Sequence, residues 1–371
     1  MQNFDCIVIG AGIAGASIAA HLAENRSVCL VEMEDRAGFH TTGRSAASYE
    51  PNYGPAPMLA FTRASEKFFQ SPPSGFSDAP LFTKRSSMFF EADGQEKFTA
   101  KLLSQGAGLE EISYASAKIR YPVLRDGYAQ RVFFDASTGD LDVDLIHRGY
   151  LKLFKHQGGN LLLSQPVQSL QRHANHWQIQ CTSEKLNAPL VINAAGAWGD
   201  VVAGLAGVKP VGLIPKRRSI GIIPYQSTEA FDHWPMVTDV GETWYSKPQS
   251  GKLIVSSADA TPVEPHDAYA DDMAIAEGVD RLMTATTIAV ERLDHSWGGL
   301  RTFAPDGMPV VGFDPHTEGF FWLVGQGGYG IQSSPALSEA AAALAMGKAI
   351  PQRVLDLGLE IAHIRPERLR S

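Results

Sequence analysis

The stretch Asp5-Cys6-Ile7-Val8-Ile9-Gly10-Ala11-Gly12-Ile13-Ala14-Gly15 decides the fold. An apolar strand, 6–9, runs directly into Gly10-x-Gly12-x-x-Gly15. A helix rich in small residues is predicted from Ile13 to about residue 24. A second strand, 28–31, then ends at Glu32, twenty-two residues after Gly10. This is the βαβ dinucleotide fingerprint, and each part has a physical task. Gly10 permits the tight turn, Gly12 lets backbone approach a pyrophosphate, and Gly15 lets helix and strand pack closely. The helix N-terminus, including Ile13 and Ala14, offers free N–H groups and positive dipole to phosphate. Glu32 can accept from a ribose 2′-hydroxyl, which favours an unphosphorylated adenosine. A signal peptide is excluded by Asp5, by the lack of a preceding positive charge and by the recurring glycines. The same glycines make the stretch a poor transmembrane helix.

The chain has 371 residues, 44% of them hydrophobic, enough for a large core and more than one lobe. A net charge of −8 argues against nucleic acid or an anionic membrane as the main partner. The basic run Lys216-Arg217-Arg218 is too short to reverse this. Cys6, Cys29 and Cys181 read as buried free thiols rather than a disulfide framework. His173-x-x-His176 lies in a strand-like stretch, where residues three apart face opposite sides, so no metal site is expected there. A cytoplasmic protein without an integral membrane segment is expected, as a monomer or small homo-oligomer.

Later segments extend the pattern. A helix is predicted over about 143–157, followed by a turn at Gly158-Gly159. Alternating stretches at 167–172 and 177–181 read as a small antiparallel sheet, and 190–193 as another apolar strand. Residues 81–134 and 213–296 are rich in Tyr, Trp, Thr and Val with Pro and Gly breaks, and read as strands of a mostly antiparallel sheet. The strand 319–324 ends at Gly325-Gln326-Gly327-Gly328-Tyr329-Gly330, and an alanine-rich helix is predicted over about 334–346. The expected fold is α/β: a Rossmann-like nucleotide domain (1–80, 135–212, 297–371) interleaved with a mostly antiparallel substrate domain (81–134, 213–296) and flanking helices. Two loops suit a flavin better than a nicotinamide. The segment 38–47 is small and polar, as backbone lying against a flat ring must be. Gly325–Gly330 precedes a helix whose positive end can stabilise negative charge on a reduced ring. An ordinary glycine-rich loop and a tight strand-to-helix turn account for the same residues equally well.

The sequence resembles the FAD-dependent D-amino-acid oxidase superfamily, and within it bacterial D-arginine dehydrogenases. The matching stretches are IVIGAGIAGAS (7–17), GFHTTGRSAASY (38–49), NAAGAW (193–198), PKRRS (215–219), WGGLRTF (297–303) and GQGGYGIQ (325–332). The resemblance implies noncovalent FAD, because the superfamily's covalent link uses a cysteine in the C-terminal half and the last one here is Cys181. It implies oxidative deamination: hydride passes from the α-carbon of a D-amino acid to flavin N5, giving an imino acid, then a 2-oxo acid and ammonia. It leaves oxygen and a quinone as alternative acceptors. Cofactor contacts are implied at Gly10, Gly12, Ile13, Ala14, Gly15 and Glu32. Further ones are implied at Thr42, Gly43, Arg44, Ser45, Ala46 and Val167, at Ala195, Gly196 and Trp198, and at Arg301 and Gly327 to Ile331. Arg218, Tyr245 and Arg301 are the implied carboxylate clamp, since a guanidinium fork matches a carboxylate at two points and stays charged. Ser48, Tyr53, Ser87, Met88, Gly328, Tyr329 and Ile331 are the implied substrate walls.

Two departures bear on the substrate. The subgroup has a histidine where this chain has Ser48, and relatives that take cationic side chains have an acid where it has Ser87. Leaving a cation unpaired is costly, so neutral or apolar side chains are expected, with Glu50 the nearby acid able to compensate. Sarcosine, glycine or a 2-hydroxy acid would present the same carboxylate to the clamp. A non-catalytic flavoprotein subunit is the alternative from another class, although it would need no such clamp.

Overall fold

The computed structural model describes residues 1–105 and 108–370. Its nucleotide lobe is built on a six-stranded sheet in the order Asn160–Leu162, Val28–Val31, Cys6–Ile9, Leu190–Asn193, Phe320–Val324, Val310–Phe313. The first five strands are parallel and the last is antiparallel. Alternation along Cys6–Ile9 sorts the layers. Cys6 and Val8 face the helices Ile13–Ala23, Val143–His156 and Gly330–Ala345, whereas Ile7 and Ile9 face a second apolar layer. That layer is closed by a four-stranded sheet in which Val167–His173, His176–Cys181 and Lys185–Ala188 run antiparallel. All three cysteines are buried in these layers.

The second lobe is a nine-stranded sheet containing the long strand Ile214–Ile223, paired along nine residues with His295–Phe303. Tyr245–Gln249, Lys252–Ser256 and Met236–Asp239 extend it, and Ser87–Glu91 joins Met236–Asp239 in its one parallel pairing among the described strands. One face packs on a core centred on Phe90, Trp244, Leu253 and Leu282. The other face turns toward the nucleotide lobe.

The α/β fold with a mostly antiparallel second sheet is as the residues indicate, but local details differ. The regions read as strands alone also hold the helices Glu96–Gln105, Tyr114–Arg120 and Asp272–Ala285. Asp271 caps the last of these by accepting from Ala274 N at 3.0 Å, a signal visible in the sequence. The alanine-rich helix begins at Gly330, four residues before the expected start. Pro335 suggests a helix start, yet it sits inside the helix, and Ser334 Oγ donates to Ile331 O at 2.9 Å, the carbonyl Pro335 cannot serve.

One carboxylate fixes the approach to the long strand. Asp200 accepts from the backbone N–H groups of Val211, Gly212 and Leu213 at 2.9, 3.0 and 2.7 Å. Asp200→Ala strands these donors and should lower unfolding stability by about 1–3 kcal/mol. Chemical denaturation should show it, with the flavin spectrum of the folded state unchanged.

Candidate active site

Between the lobes lies a cavity of about 690 Å³. Its nucleotide end is formed by the fingerprint. Gly10 has φ +100°, and a Cβ there would stand 2.6 Å from Ala194 O. Gly15 would place a Cβ 1.8 Å from Gly10 O, so helix and turn touch directly. Glu32 accepts from Ala11 N at 2.7 Å and from Glu34 N at 3.1 Å, which holds the carboxylate at the end of its strand, facing the cavity. Thr42 Oγ1 accepts from Ile13 N at 2.9 Å and ties the following loop to the helix start. Arg44 lines the cavity, but its guanidinium donates to Ala268 O at 2.5 Å and pairs with Asp267, fastening the loop to the other lobe. Trp297 Nε1 donates to Arg44 O at 2.9 Å and secures the same joint.

Ser45, Ala46, Val167, Ala195, Gly196 and Trp198 also line the cavity, as do Gly12, Ala14 and Gly327 to Ile331. Gly43 does not line it; its role is local, since a Cβ there would meet Gly38 O at 2.6 Å. Gly15 is likewise outside the lining and acts by packing. A glycine cradle, a buried carboxylate and two helix N-termini facing one cavity fit a flavin dinucleotide. Bound there, the first helix would take the pyrophosphate and the Gly330–Ala345 helix the polar edge of the ring.

Beyond the nucleotide end, the strands bring together the arginines. Arg218 and Arg301 stand on neighbouring paired strands, with Lys216 opposite Arg301 and Arg218 opposite Gly299. Arg218 Nε donates to Asp259 O at 2.9 Å, and its guanidinium lies 5.9 Å from the ring centre of Tyr245. Arg301 Nη2 donates to Tyr53 Oη at 2.8 Å. Burial works against the Arg301 charge, but the oxygens of Tyr53 and Tyr329 outweigh it and raise the pKa. Among the described residues Arg301 has no carboxylate partner. Gly328 makes room for it, since a Cβ there would stand 2.1 Å from Arg301 Nη2. Tyr53 and Tyr329 meet edge to face, with ring centres 5.0 Å apart. Glu242, on the hairpin between Met236–Asp239 and Tyr245–Gln249, also lines this end in a left-handed conformation with φ +53°. Although the residue remains open to solvent, partial loss of water raises its carboxyl pKa, against the pull of Lys101, Arg301 and Arg218.

One pleat farther along the sheet is a second pole. Phe89, Thr238 and Tyr245 form a row that continues through Ser256 to the level of Ile220, two residues beyond Arg218, and Thr238 stands opposite both Phe89 and Tyr245. Ser87 and Met236 stand opposite each other in the next row, and Lys247, two residues beyond Tyr245, shares it, about 7 Å away. Here the expected walls need correction. Met88 points through the sheet into the apolar core, as alternation requires. Ser87 faces inward but does not line the cavity; its hydroxyl donates to Glu50 Oε1 at 2.8 Å, and Glu50 takes the place in the wall. The acid absent at position 87 is thus supplied from the 50–54 loop. Ser48 and Lys247 complete this pole. Lys247 Nζ donates to Asp140 Oδ1 at 2.6 Å and to Ser48 Oγ at 3.2 Å, and burial lowers its pKa. Lys247 was legible in principle, because it alternates with Tyr245 on one strand.

Fold and cavity define a class: a dinucleotide-dependent enzyme whose cofactor cavity continues into a chamber lined by Arg218 and Arg301. The chain belongs to the DAO family of FAD-dependent oxidoreductases, whose family model matches residues 5–344. It is 25% identical over 370 residues to a glycine oxidase of Bacillus subtilis, covering 95% of each chain. It is 22% identical to the human mitochondrial sarcosine dehydrogenase over 85% of this chain and 36% of that one. Its fold is similar to that of an L-proline dehydrogenase from P. horikoshii, with TM-score 0.85 and 19% identity over 100% of this chain and 98% of that one. The family is therefore as the motifs indicate, while none of these relatives is a D-arginine dehydrogenase. Among the described residues no helix is long and apolar enough to cross a membrane.

Proposed function

We propose that this protein oxidises the α-carbon–nitrogen bond of an amino acid, of D configuration, to an imino acid that water converts to a 2-oxo acid and ammonia. One observation carries the reading: among the described residues Arg301 faces the cavity without a carboxylate partner, beside Arg218, Tyr53 and Tyr245. A buried guanidinium of this kind requires an anion, and a substrate carboxylate supplies it at two points. FAD supplies the hydride acceptor when bound. The chain's own residues fix the carboxylate, and with it the presentation of the α-hydrogen. Tyr53 Oη orients Arg301, and Tyr329 packs edge to face on Tyr53 beside the same guanidinium. Glycine and sarcosine would satisfy the clamp but leave the polar second pole unfilled, which favours a substrate with a longer side chain.

The purified protein should be yellow, and acid or heat should release all of the flavin as FAD. Flavin retained by the precipitate would refute noncovalent binding. Anaerobic addition of D-amino acids should bleach the flavin within seconds to minutes, while L-enantiomers should not. Bleaching by 2-hydroxy acids alone would overturn the amine reading.

A further inference from the structure

The second pole holds one group that neither cofactor binding nor the clamp explains. Glu50 is 8% exposed and is one of the residues lining the cavity. Its backbone N–H donates to Gln332 Oε1 at 2.8 Å and Ser87 donates to its Oε1 at 2.8 Å, so both main chain and carboxyl are held in place. The charged groups around it come from four directions. Lys247 approaches from Tyr245–Gln249, but its ammonium is engaged by Asp140, Ser48 Oγ and Ala47 O. Asp140, on Gly139–Leu141, also pairs with Arg85 at 2.5 Å, whose other donors go to Asp232 O and Trp234 O. Asp135, on Arg131–Asp135, accepts from Asn52 Nδ2 at 2.8 Å and from Ser137. Arg63, from the helix Ala56–Gln70, is turned to Pro51 O and Asn52 Oδ1 behind the loop.

We propose that Glu50 selects the substrate by the charge of its side chain: as a carboxylate it takes an amino acid ending in a cation, and as a neutral acid it takes an uncharged one. This rests on the amino-acid reading above. A substrate whose carboxylate meets Arg218, Tyr245 and Arg301 extends its side chain along the sheet, past Tyr245 toward the row of Ser87, Met236 and Lys247, about 7 Å beyond Tyr245. There it meets Glu50, with Ser87 bonded to the carboxyl outside the lining. A cation at this point gains a desolvated partner with two further acids behind it; an uncharged end leaves the neutral acid hydrogen-bonded to Ser87 at no charge cost. Burial pushes the Glu50 carboxyl up to about 8, helped by Asp135 and Asp140 and opposed by Ser87 and Lys247. The neutral form therefore prevails below that pH and the carboxylate above it. Selectivity turns over within the range where the enzyme can be assayed.

D-Lysine and D-norleucine share a four-carbon stem and differ by the terminal ammonium, so their ratio of kcat/KM cancels every titration common to both. That ratio should climb close to tenfold per unit below pH 8 and flatten above it, about fifty-fold in all between pH 6 and pH 8. In Glu50→Gln the ratio should be independent of pH. In Ser87→Ala, which removes a donor to the charged form, the midpoint should move up by about one pH unit. If Glu50→Gln fails to hold FAD, the Ser87→Ala midpoint decides on its own. A wild-type ratio that is flat from pH 6 to 9, or a midpoint unmoved by Ser87→Ala, overturns the selector while leaving the amino-acid reading standing. Absence of flavin bleaching by either substrate at any pH removes that reading, and the selector with it.

Discussion

Arg301→Met should keep its FAD and lose most of its turnover. The side chain lies in the chamber, and among the described residues it has no carboxylate partner and bonds only to Tyr53 Oη, with the rings of Phe303 and Tyr329 flanking it. Methionine fills a similar length of apolar space but cannot hold a carboxylate. Removing one member of a desolvated charge pair costs about 2–5 kcal/mol, or roughly thirty- to several-thousand-fold in kcat/KM. Loss in both kcat and kcat/KM would mean that the arginine positions the substrate for reaction, whereas a rise in KM alone would mean simple anchoring. A variant with wild-type kcat/KM on its best amino acid would make Arg301 a structural residue and remove the basis of the proposed function.

Gly15→Ala should abolish FAD binding and most soluble protein. Its Cβ would fall 1.8 Å from Gly10 O and 3.4 Å from Leu30 Cδ1. The first contact is the new Cβ against a backbone carbonyl, so no flexible side chain can swing away. Helix Ile13–Ala23 would have to lift off the sheet, opening a core in which Val8, Ala16 and Leu30 are fully buried. Overpacking typically costs 1–3 kcal/mol where neighbours can shift; here they cannot, and about 4 kcal/mol or more is expected. Far-UV circular dichroism and flavin content should fall together. A soluble, yellow Gly15→Ala protein would show that the turn relaxes in a way its geometry does not suggest. Gly12→Ala is the contrast: its nearest contact is the Thr42 hydroxyl at 3.1 Å, which can rotate.

The nucleotide lobe was readable because its signals are local. A strand, a three-glycine turn and an acid lie within twenty-eight residues, and each position has a steric or electrostatic reason. The clamp residues were readable only through resemblance, because Arg218 and Arg301 are eighty-three residues apart and nothing local distinguishes either from a surface arginine. The second pole resisted for a different reason. Its composition depends on which neighbour of a strand residue faces the cavity. Met88 points away, Ser87 stands one layer back, and Glu50 arrives on a loop whose path no periodicity records. The helix over 272–285 carried a readable cap in Asp271, but strand-like composition around it masked the signal.

The order in which the chain is made adds a constraint. The fingerprint is made early, yet its sheet acquires the strand Phe320–Val324, and its cavity the helix start at Gly330, only after the whole second lobe has been made. His295–Phe303, which carries Arg301, is also late and must dock along nine residues of a strand made some eighty residues earlier. A nascent chain of about 290 residues therefore exposes the apolar edge of Leu190–Asn193 and cannot enclose the dinucleotide. Cofactor capture therefore waits until Phe320–Val324 and the helix start at Gly330 have been made and packed, and bound FAD then stabilises the folded chain by mass action.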